Sequence, residues 1–213
     1  MEYEIPELNL FMMCKAPRAK AFSQPPEGYS FRLCRRNELE VWKSLHIDDP
    51  EQYDEYNKVL SEYINTVYEP KGGEFFNSCV FVCDEKDNPV GTCFIWKAYG
   101  VFNTAHWFKV LPGYEGKGLG RALLSYVTGK LSTEDYPVFL HTHPSSYRAI
   151  KLYSDFGFEL LTEPKIGYRT NDFAESMQIL EKYMPEKDFR NLCTTTAPEY
   201  FMKAALSSEM QEF

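Results

Sequence analysis

One stretch constrains the fold more than any other: Val110-Leu111-Pro112-Gly113-Tyr114-Glu115-Gly116-Lys117-Gly118-Leu119-Gly120-Arg121-Ala122-Leu123-Leu124. Before it, Thr104 to Leu111 reads as a long strand. After it, Leu119, Ala122, Leu123, Tyr126, Val127 and Leu131 recur at helical spacing on one face. A strand that runs through a glycine loop directly into a helix converges backbone N–H groups on a helix amino terminus, which suits phosphate. Two phosphate-binding patterns are excluded by residue identity. A P-loop needs Lys and then Ser or Thr after its last glycine, whereas Leu119 and Gly120 follow Gly118. A dinucleotide fingerprint needs a third glycine three places after the second, where this chain has Arg121.

The flanking sequence supplies a mixed α/β pattern. Tyr29 to Cys34 alternates and predicts a short first strand. Asn37 with Glu40 predicts a capped helix start, and Asp49-Pro50-Glu51-Gln52 predicts another, with Tyr53, Tyr56, Leu60, Tyr63, Ile64 and Val67 on its apolar face. Ser78 to Cys83 and Val90 to Tyr99 form an expected hairpin, in which Cys79 and Cys83 fall on one face as small hydrophobes. Val138 to Thr142 reads as a strand. Pro144-Ser145-Ser146 offers a cap for a helix ending at Gly157, and Phe158 to Leu161 begins another strand. The expectation is a central mixed, mostly antiparallel sheet with helices on both faces. Beyond Thr170, Asp172-Phe173-Ala174-Glu175 and Thr196-Ala197-Pro198-Glu199 read as capping boxes, so the division expected is a domain over residues 1–170 and a helical appendage over 171–213.

At 213 residues with 44% hydrophobic content, the chain can fill a single core. A net charge of -8 disfavours nonspecific binding of nucleic acid or anionic membrane, since phosphate contacts need clustered Lys and Arg. No apolar run approaches the roughly 20 residues of a membrane span. Glu2, Glu4 and Glu7 stand where a secretory signal would be basic, so a soluble cytoplasmic protein with six reduced cysteines is expected. His46, His106, His141 and His143 are scattered and no CxxC pair exists, which argues against a metal.

The glycine loop resembles the signature of the GNAT acetyltransferase superfamily: Gln or Arg, two variable residues, Gly, one variable residue, then Gly or Ala. Glu115-Gly116-Lys117-Gly118-Leu119-Gly120 matches at both glycines and departs at its first position. A second block, Ala149-Ile150-Lys151-Leu152-Tyr153-Ser154-Asp155-Phe156-Gly157-Phe158, looks like the family's later helix, with Ser146 where many members have Asn. The likeness extends over residues 29–170. It implies a GNAT-like acyl-CoA N-acyltransferase fold and direct transfer of acetyl from acetyl-CoA to a primary amine. It also implies that Glu115, Gly116, Lys117, Gly118, Leu119, Gly120, Arg121 and Ser146 line the CoA site, with Lys117 and Arg121 supplying charge and a backbone N–H near Val110 serving the carbonyl.

Tyr153 occupies the family's position for protonating the leaving thiolate, and a phenol of pKa about 10 is a plausible donor. His106 lies on the preceding strand where relatives often hold a base, and an ordinary imidazole pKa near 6.5 would suit that task; His141 and His143 are the alternatives. The acceptor expected is a small-molecule amine, with a protein lysine or amino terminus, or a non-catalytic CoA-binding module, as alternatives. Glu38, Glu40, Asp48, Asp49, Tyr53, Tyr56 and Tyr63 would fit a cationic amine, though a solvated face with core tyrosines explains them too. The carboxyl-terminal helices are candidates to cover the acceptor or to form a homodimer contact.

Overall fold

The first strand comes from the amino terminus, not from Tyr29 to Cys34. In the computed structural model, which describes residues 5–207 and 211–213, β1 (Leu10–Cys14) is wholly buried. Glu2 and Glu4 lie outside the described residues. β1 pairs antiparallel with β6 (Val138–Thr142) on one side and β7 (Phe158–Leu161) on the other, with Leu10 opposite Thr142 and Met12 opposite Leu160. A strand covered on both faces and both edges needs apolar residues throughout, and its sequence, Leu-Phe-Met-Met-Cys, supplies them.

The remaining strands are β2 (Ser30–Leu33), β3 (Val80–Cys83), β4 (Pro89–Ala98) and β5 (Phe102–Val110), the short pair β8 (Lys165–Ile166) and β9 (Arg169–Thr170), and β10 (Thr194–Thr195). One eight-stranded sheet runs in the order β10-β7-β1-β6-β5-β4-β3-β2, while β8 and β9 pair separately. All neighbours in the large sheet are antiparallel except β5 with β6 and β7 with β10. The parallel β5–β6 pair does most to shape the centre of the molecule. Its ladder holds only at Asn103–Val138 and Thr104–Phe139, and beyond these the strands diverge.

The helices are α1 (Leu39–Ser44), α2 (Tyr53–Tyr63), α3 (Glu74–Ser78), α4 (Leu119–Thr128), α5 (Tyr147–Phe156), α6 (Phe173–Tyr183), α7 (Glu186–Arg190) and α8 (Glu199–Ala205). On one face of the sheet, Trp42, Leu60, Phe75 and Phe201 from α1, α2, α3 and α8 pack with Phe11, Phe81, Phe94 and Phe139. On the other, Leu119, Leu123, Ile150, Phe156 and Leu180 from α4, α5 and α6 pack with Leu10, Met12, Val82 and Leu160. The expected mixed sheet with helices on both faces is therefore present. Cys79 and Cys83 share one face with Phe81, while Val80 and Val82 take the other. All six cysteines are unpaired, and only Cys193 is exposed.

The segment beyond Thr170 is woven into this unit. β10 extends the sheet at β7, and Phe201 stacks on Phe139 with ring centroids 3.9 Å apart. Phe213 packs against both rings.

Several local expectations are corrected. Arg35, not Asn37, begins the turn before α1, its N–H donating to Glu38 at 2.9 Å. Asp49 does cap its helix, accepting from the Glu51 N–H at 2.9 Å. Tyr53 and Tyr56 are exposed, because the buried face of α2 narrows to Leu60 and continues through a wider turn at Ile64–Tyr68. Asp172 does not close a capping box; it accepts from the Asn9 N–H at 2.8 Å and so anchors the residue that leads into β1. The Thr196 box is likewise absent, as α8 starts behind Pro198 without a side-chain cap. Ser146 precedes α5 but makes no capping bond. No helix among the described residues is long and apolar enough to cross a membrane.

Candidate active site

The divergence of β5 from β6 opens the sheet, and two cavities lie along that opening. The first, of about 520 Å³, is the cleft of the glycine loop. Val110, Glu115, Gly116, Gly118, Leu119, Gly120, Arg121 and Ser146 line it, as expected, together with Phe108, Lys109, Tyr114, Arg148 and Leu152. Gly116 and Gly118 have φ of +74° and +82°, and a β-carbon on either would meet no atom within 4 Å. These conformations disfavour side chains and leave the loop backbone open to the cleft. Gly118 immediately precedes the first residue of α4, so the positive end of that helix faces the same space. Together, bare amides, a helix amino terminus and open volume fit a pyrophosphate.

The charges around this cleft differ from those expected. The Arg121 guanidinium is held by Asp155 at 2.5 Å and by the Ala21 carbonyl at 3.2 Å, so it braces α4 against α5 rather than remaining free. The Lys117 ammonium sits over the Tyr114 ring at 4.7 Å, and Lys117 does not line the cleft. Glu115 turns toward Arg148, with N···O 3.1 Å, which takes its carboxylate off the loop amides. Lys109 and Arg148 are cationic wall residues that no sequence motif marks, since neither lies in the glycine signature.

The second cavity, about 500 Å³, is lined by His46, Tyr63, His106, Trp107, His141, His143, Tyr153, Arg169, Gln211 and Phe213, among others. Phe108, Ser146 and Ala149 line both cavities and mark where the two meet. The β4–β5 ladder is interrupted beside this junction: Thr92 opposes Lys109 but Phe94 opposes His106, so β5 carries an extra residue at Trp107–Phe108. Trp107 has φ of +51°. This bulge turns both His106 and Trp107 toward the helical layer of α1–α3 and frees backbone from the ladder two residues before Val110.

Tyr153 projects from α5 between Phe108 and Phe158, with ring centroids 5.6 and 5.8 Å away. Its hydroxyl has no hydrogen-bond partner among the described residues. Burial pushes its pKa above the ordinary tyrosine value, so the phenol keeps its proton at neutral pH.

His106 is placed in the cavity wall but is saturated. Trp107 Nε1–H donates to Tyr68 Oη at 2.8 Å, and Tyr68 Oη lies 2.7 Å from His106 Nδ1. The ring also bonds the backbone of Glu212, and burial lowers the pKa to about 3. A neutral imidazole so engaged has no lone pair to offer an amine. His141 is similarly occupied, by Asn9 Oδ1 at 2.9 Å and Arg169 Nη1 at 3.2 Å. His143 differs: Nδ1 lies 2.9 Å from the Leu8 carbonyl, to which it donates, leaving Nε2 as the acceptor with no protein partner among the described residues. No group of three or more His, Cys, Asp or Glu residues that could hold a metal ion occurs among the described residues.

The carboxylates that were candidates for a cationic acceptor are committed elsewhere. Glu38 pairs with Arg32 at 2.7 Å, Glu40 with Lys43 at 2.8 Å, and Asp48 with Lys109 at 2.5 Å.

Residues 76–160 match the family model of the acetyltransferase (GNAT) domain. No curated protein matches the chain. Among solved structures, a GCN5-related N-acetyltransferase from Sphaerobacter thermophilus is 18% identical, with 73% of this chain and 49% of that chain covered and a TM-score of 0.48. An acetyltransferase of the GNAT family from Colwellia psychrerythraea is 15% identical, covers 74% and 54% respectively, and has a TM-score of 0.49. A GCN5-related N-acetyltransferase-like protein from Streptococcus suis is 13% identical, with 74% and 59% covered and a TM-score of 0.49. The chain thus spans about half to three fifths of the length of these solved chains.

Proposed function

The chain carries a GNAT acetyltransferase domain, and on that premise we propose that it transfers an acetyl group from acetyl-CoA directly to the primary amine of a small molecule. The observation that carries this reading is the meeting of the glycine-loop cleft and the second cavity at Phe108, Ser146 and Ala149, with Tyr153 in the wall of the second cavity and packed on Phe108. The amides of residues 116–121 and the amino terminus of α4 would hold the pyrophosphate. Bound there, acetyl-CoA would supply a thioester whose acyl carbon bonds the amine nitrogen as the C–S bond breaks, giving an amide and a CoA thiol.

The chain's own groups then move two protons. His143 Nε2 accepts the proton that the amine loses, its Nδ1–H fixed by the Leu8 carbonyl. Tyr153 Oη donates a proton to the departing sulfur. The bulge at Trp107–Phe108 provides backbone freed from the ladder to polarise the acyl oxygen. His106 positions rather than reacts: through Tyr68 it locks Trp107 in the cavity wall. A cavity walled on one side by Tyr63 and Trp107 and on another by Gln211 and Phe213 favours a small acceptor over an extended polypeptide.

The test is a panel of amines incubated with acetyl-CoA, reading free thiol release, beside thermal shifts with CoA, ATP and NAD. Thiol release with a subset of amines and stabilisation by CoA alone are expected. Stabilisation by ATP or NAD but not CoA would overturn the reading. Tight CoA binding with no transfer to any amine would convert it to a CoA-binding module.

A further inference from the structure

The cavity beside Tyr153 has an unusual charge inventory for a protein with a net charge of -8. Among the described residues, no Asp or Glu side chain lines it, and its only cationic side chain, apart from histidines, is Arg169 of β9. Arg32, Arg35, Arg121, Arg148 and Arg190 each pair with a carboxylate. Arg169 does not. Its Nη1 meets the neutral His141 Nδ1 at 3.2 Å, and its guanidinium lies over the rings of Phe11 and Phe213 at 5.3 and 6.0 Å. Its Nη2 is buried with no hydrogen-bond partner among the described residues. A guanidinium presents five donors in a planar fork, and in this half-buried one the unpartnered donor and the lack of a carboxylate partner among the described residues carry an uncompensated cost. Burial accordingly lowers its pKa from the ordinary arginine value. An anion entering the cavity would remove that cost.

The supporting groups hold the fork in place instead of neutralising it. His141 accepts from Arg169 on one side and bonds Asn9 Oδ1 on the other, and Asn9 is itself anchored through its N–H to Asp172. Three segments distant in sequence thus fix one guanidinium against the cavity that also holds Tyr153 and His143.

We propose that the acceptor carries a carboxylate as well as an amine, that is, a free amino acid, with the carboxylate on Arg169 and the amine directed toward Tyr153 and His143. This rests on the acetyl-transfer reading above and narrows its substrate class. It also departs from the cationic amine that the acidic side chains could fit, because Glu38, Glu40 and Asp48 are already paired, whereas among the described residues the one charged side chain of the cavity wall without an opposite partner is positive. A carboxylate accepts a planar pair of hydrogen bonds from a guanidinium, and a carboxamide cannot do so with equal charge.

The experiment compares free L-amino acids, each beside its own carboxamide and its decarboxylated amine, as acceptors for wild type, Arg169→Gln and Arg169→Lys. Free acids should exceed carboxamides in kcat/KM by about 10- to 100-fold, mostly through KM, as expected for a charge-assisted hydrogen bond. Arg169→Gln should erase that preference and Arg169→Lys should restore part of it, with Tm recorded for each. Should the Gln variant fail to fold, the Lys variant and the wild-type pairs decide. Carboxamides or decarboxylated amines acetylated as well as the acids would overturn the inference while leaving the acetyl-transfer reading intact. A binding arm separates the two failures: thermal shifts with N-acetyl amino acids and their carboxamides in the presence of CoA. Stabilisation by the acids in wild type but not in Arg169→Gln, with no transfer to any amine, would uphold the carboxylate site and overturn the transferase reading. The absence of both transfer and acid-dependent stabilisation would overturn the carboxylate site.

Discussion

Replacing Tyr153 with Phe isolates one proton. The ring is 6% exposed and packs between Phe108 and Phe158, contacts that phenylalanine keeps. The hydroxyl has no protein hydrogen-bond partner among the described residues, so its removal breaks no bond and orphans no neighbour. Stability should therefore change by no more than about 1 kcal/mol, or roughly 2–4 °C in Tm for a chain of this size. CoA affinity should be unchanged, because Tyr153 lines the second cavity and not the glycine cleft. Turnover should behave differently. Loss of a general acid lowers kcat by about 100- to 10,000-fold, equivalent to about 2.7–5.5 kcal/mol at 1.36 kcal/mol per decade. The lower end is expected here, since burial raises the phenol's pKa and weakens its drive to release a proton even as it guarantees that the proton is present. The assay is kcat by thiol release, CoA affinity and Tm on the same preparation. A kcat within a few-fold of wild type would refute the assignment and leave the thiolate to be protonated by solvent.

Gly118→Val places a β-branched residue at φ +82°, costing about 1–2 kcal/mol in backbone strain; no protein atom obstructs the new β-carbon, so CoA affinity should fall at least ~10-fold from blockage of the cleft, with a smaller loss in Tm. Normal CoA binding would mean that the cradle lies elsewhere. His106, which is buried, and His46, which is half-buried, have pKa lowered to about 3 and hold fewer protons folded than unfolded below an unfolded pKa of 6.5. Their stabilisation is fully present above about pH 6.5 and declines as pH falls toward 3, so urea unfolding should show a loss of roughly 4 kcal/mol between pH 7 and pH 5; a flat profile there would contradict their burial as neutral groups. Phe201→Ala should destabilise by about 3–5 kcal/mol, because Phe201 is fully buried and stacked on Phe139. A change below about 1 kcal/mol by denaturant unfolding would show that α8 is dispensable to the core.

The strand–loop–helix around Gly118 was legible because its constraints are local: two glycines at fixed spacing, a periodic helix behind them and an apolar strand in front. The same holds for α5, whose Gly157 has the expected left-handed φ of +100°. β1 was not legible. Five consecutive apolar residues lack the alternation that marks a strand, and their partners lie on β6 and β7, far along the chain. The caps failed for a related reason: the Asp172 carboxylate serves Asn9 in another element instead of its own helix. Sequence put His106 ahead of His141 and His143 as the candidate base by strand position alone, but what separates His106 from His143 is which nitrogens are already engaged, and that depends on Tyr68, Glu212 and Leu8. Arg169 carried no motif at all; it is recognisable only by the absence of a carboxylate partner among the described residues.

Placing β1 between β6 and β7 also sets a clock on biosynthesis. The strand made first is among the last to find its neighbours, since Leu10 must wait for Thr142 and Met12 for Leu160. At about 5–20 residues per second, that interval is on the order of 10 s, during which neither edge of Leu-Phe-Met-Met-Cys has its strand partner. The hairpin of β3 and β4, with β5 beside it, can assemble meanwhile from sequence neighbours, so a nascent chain would hold half a sheet with a vacant slot while the β1 segment remains unpaired. Ribosome-bound chains ending before residue 138 should therefore leave that segment accessible to chaperones and proteases, and chains long enough to expose residue 161 beyond the exit tunnel should protect it.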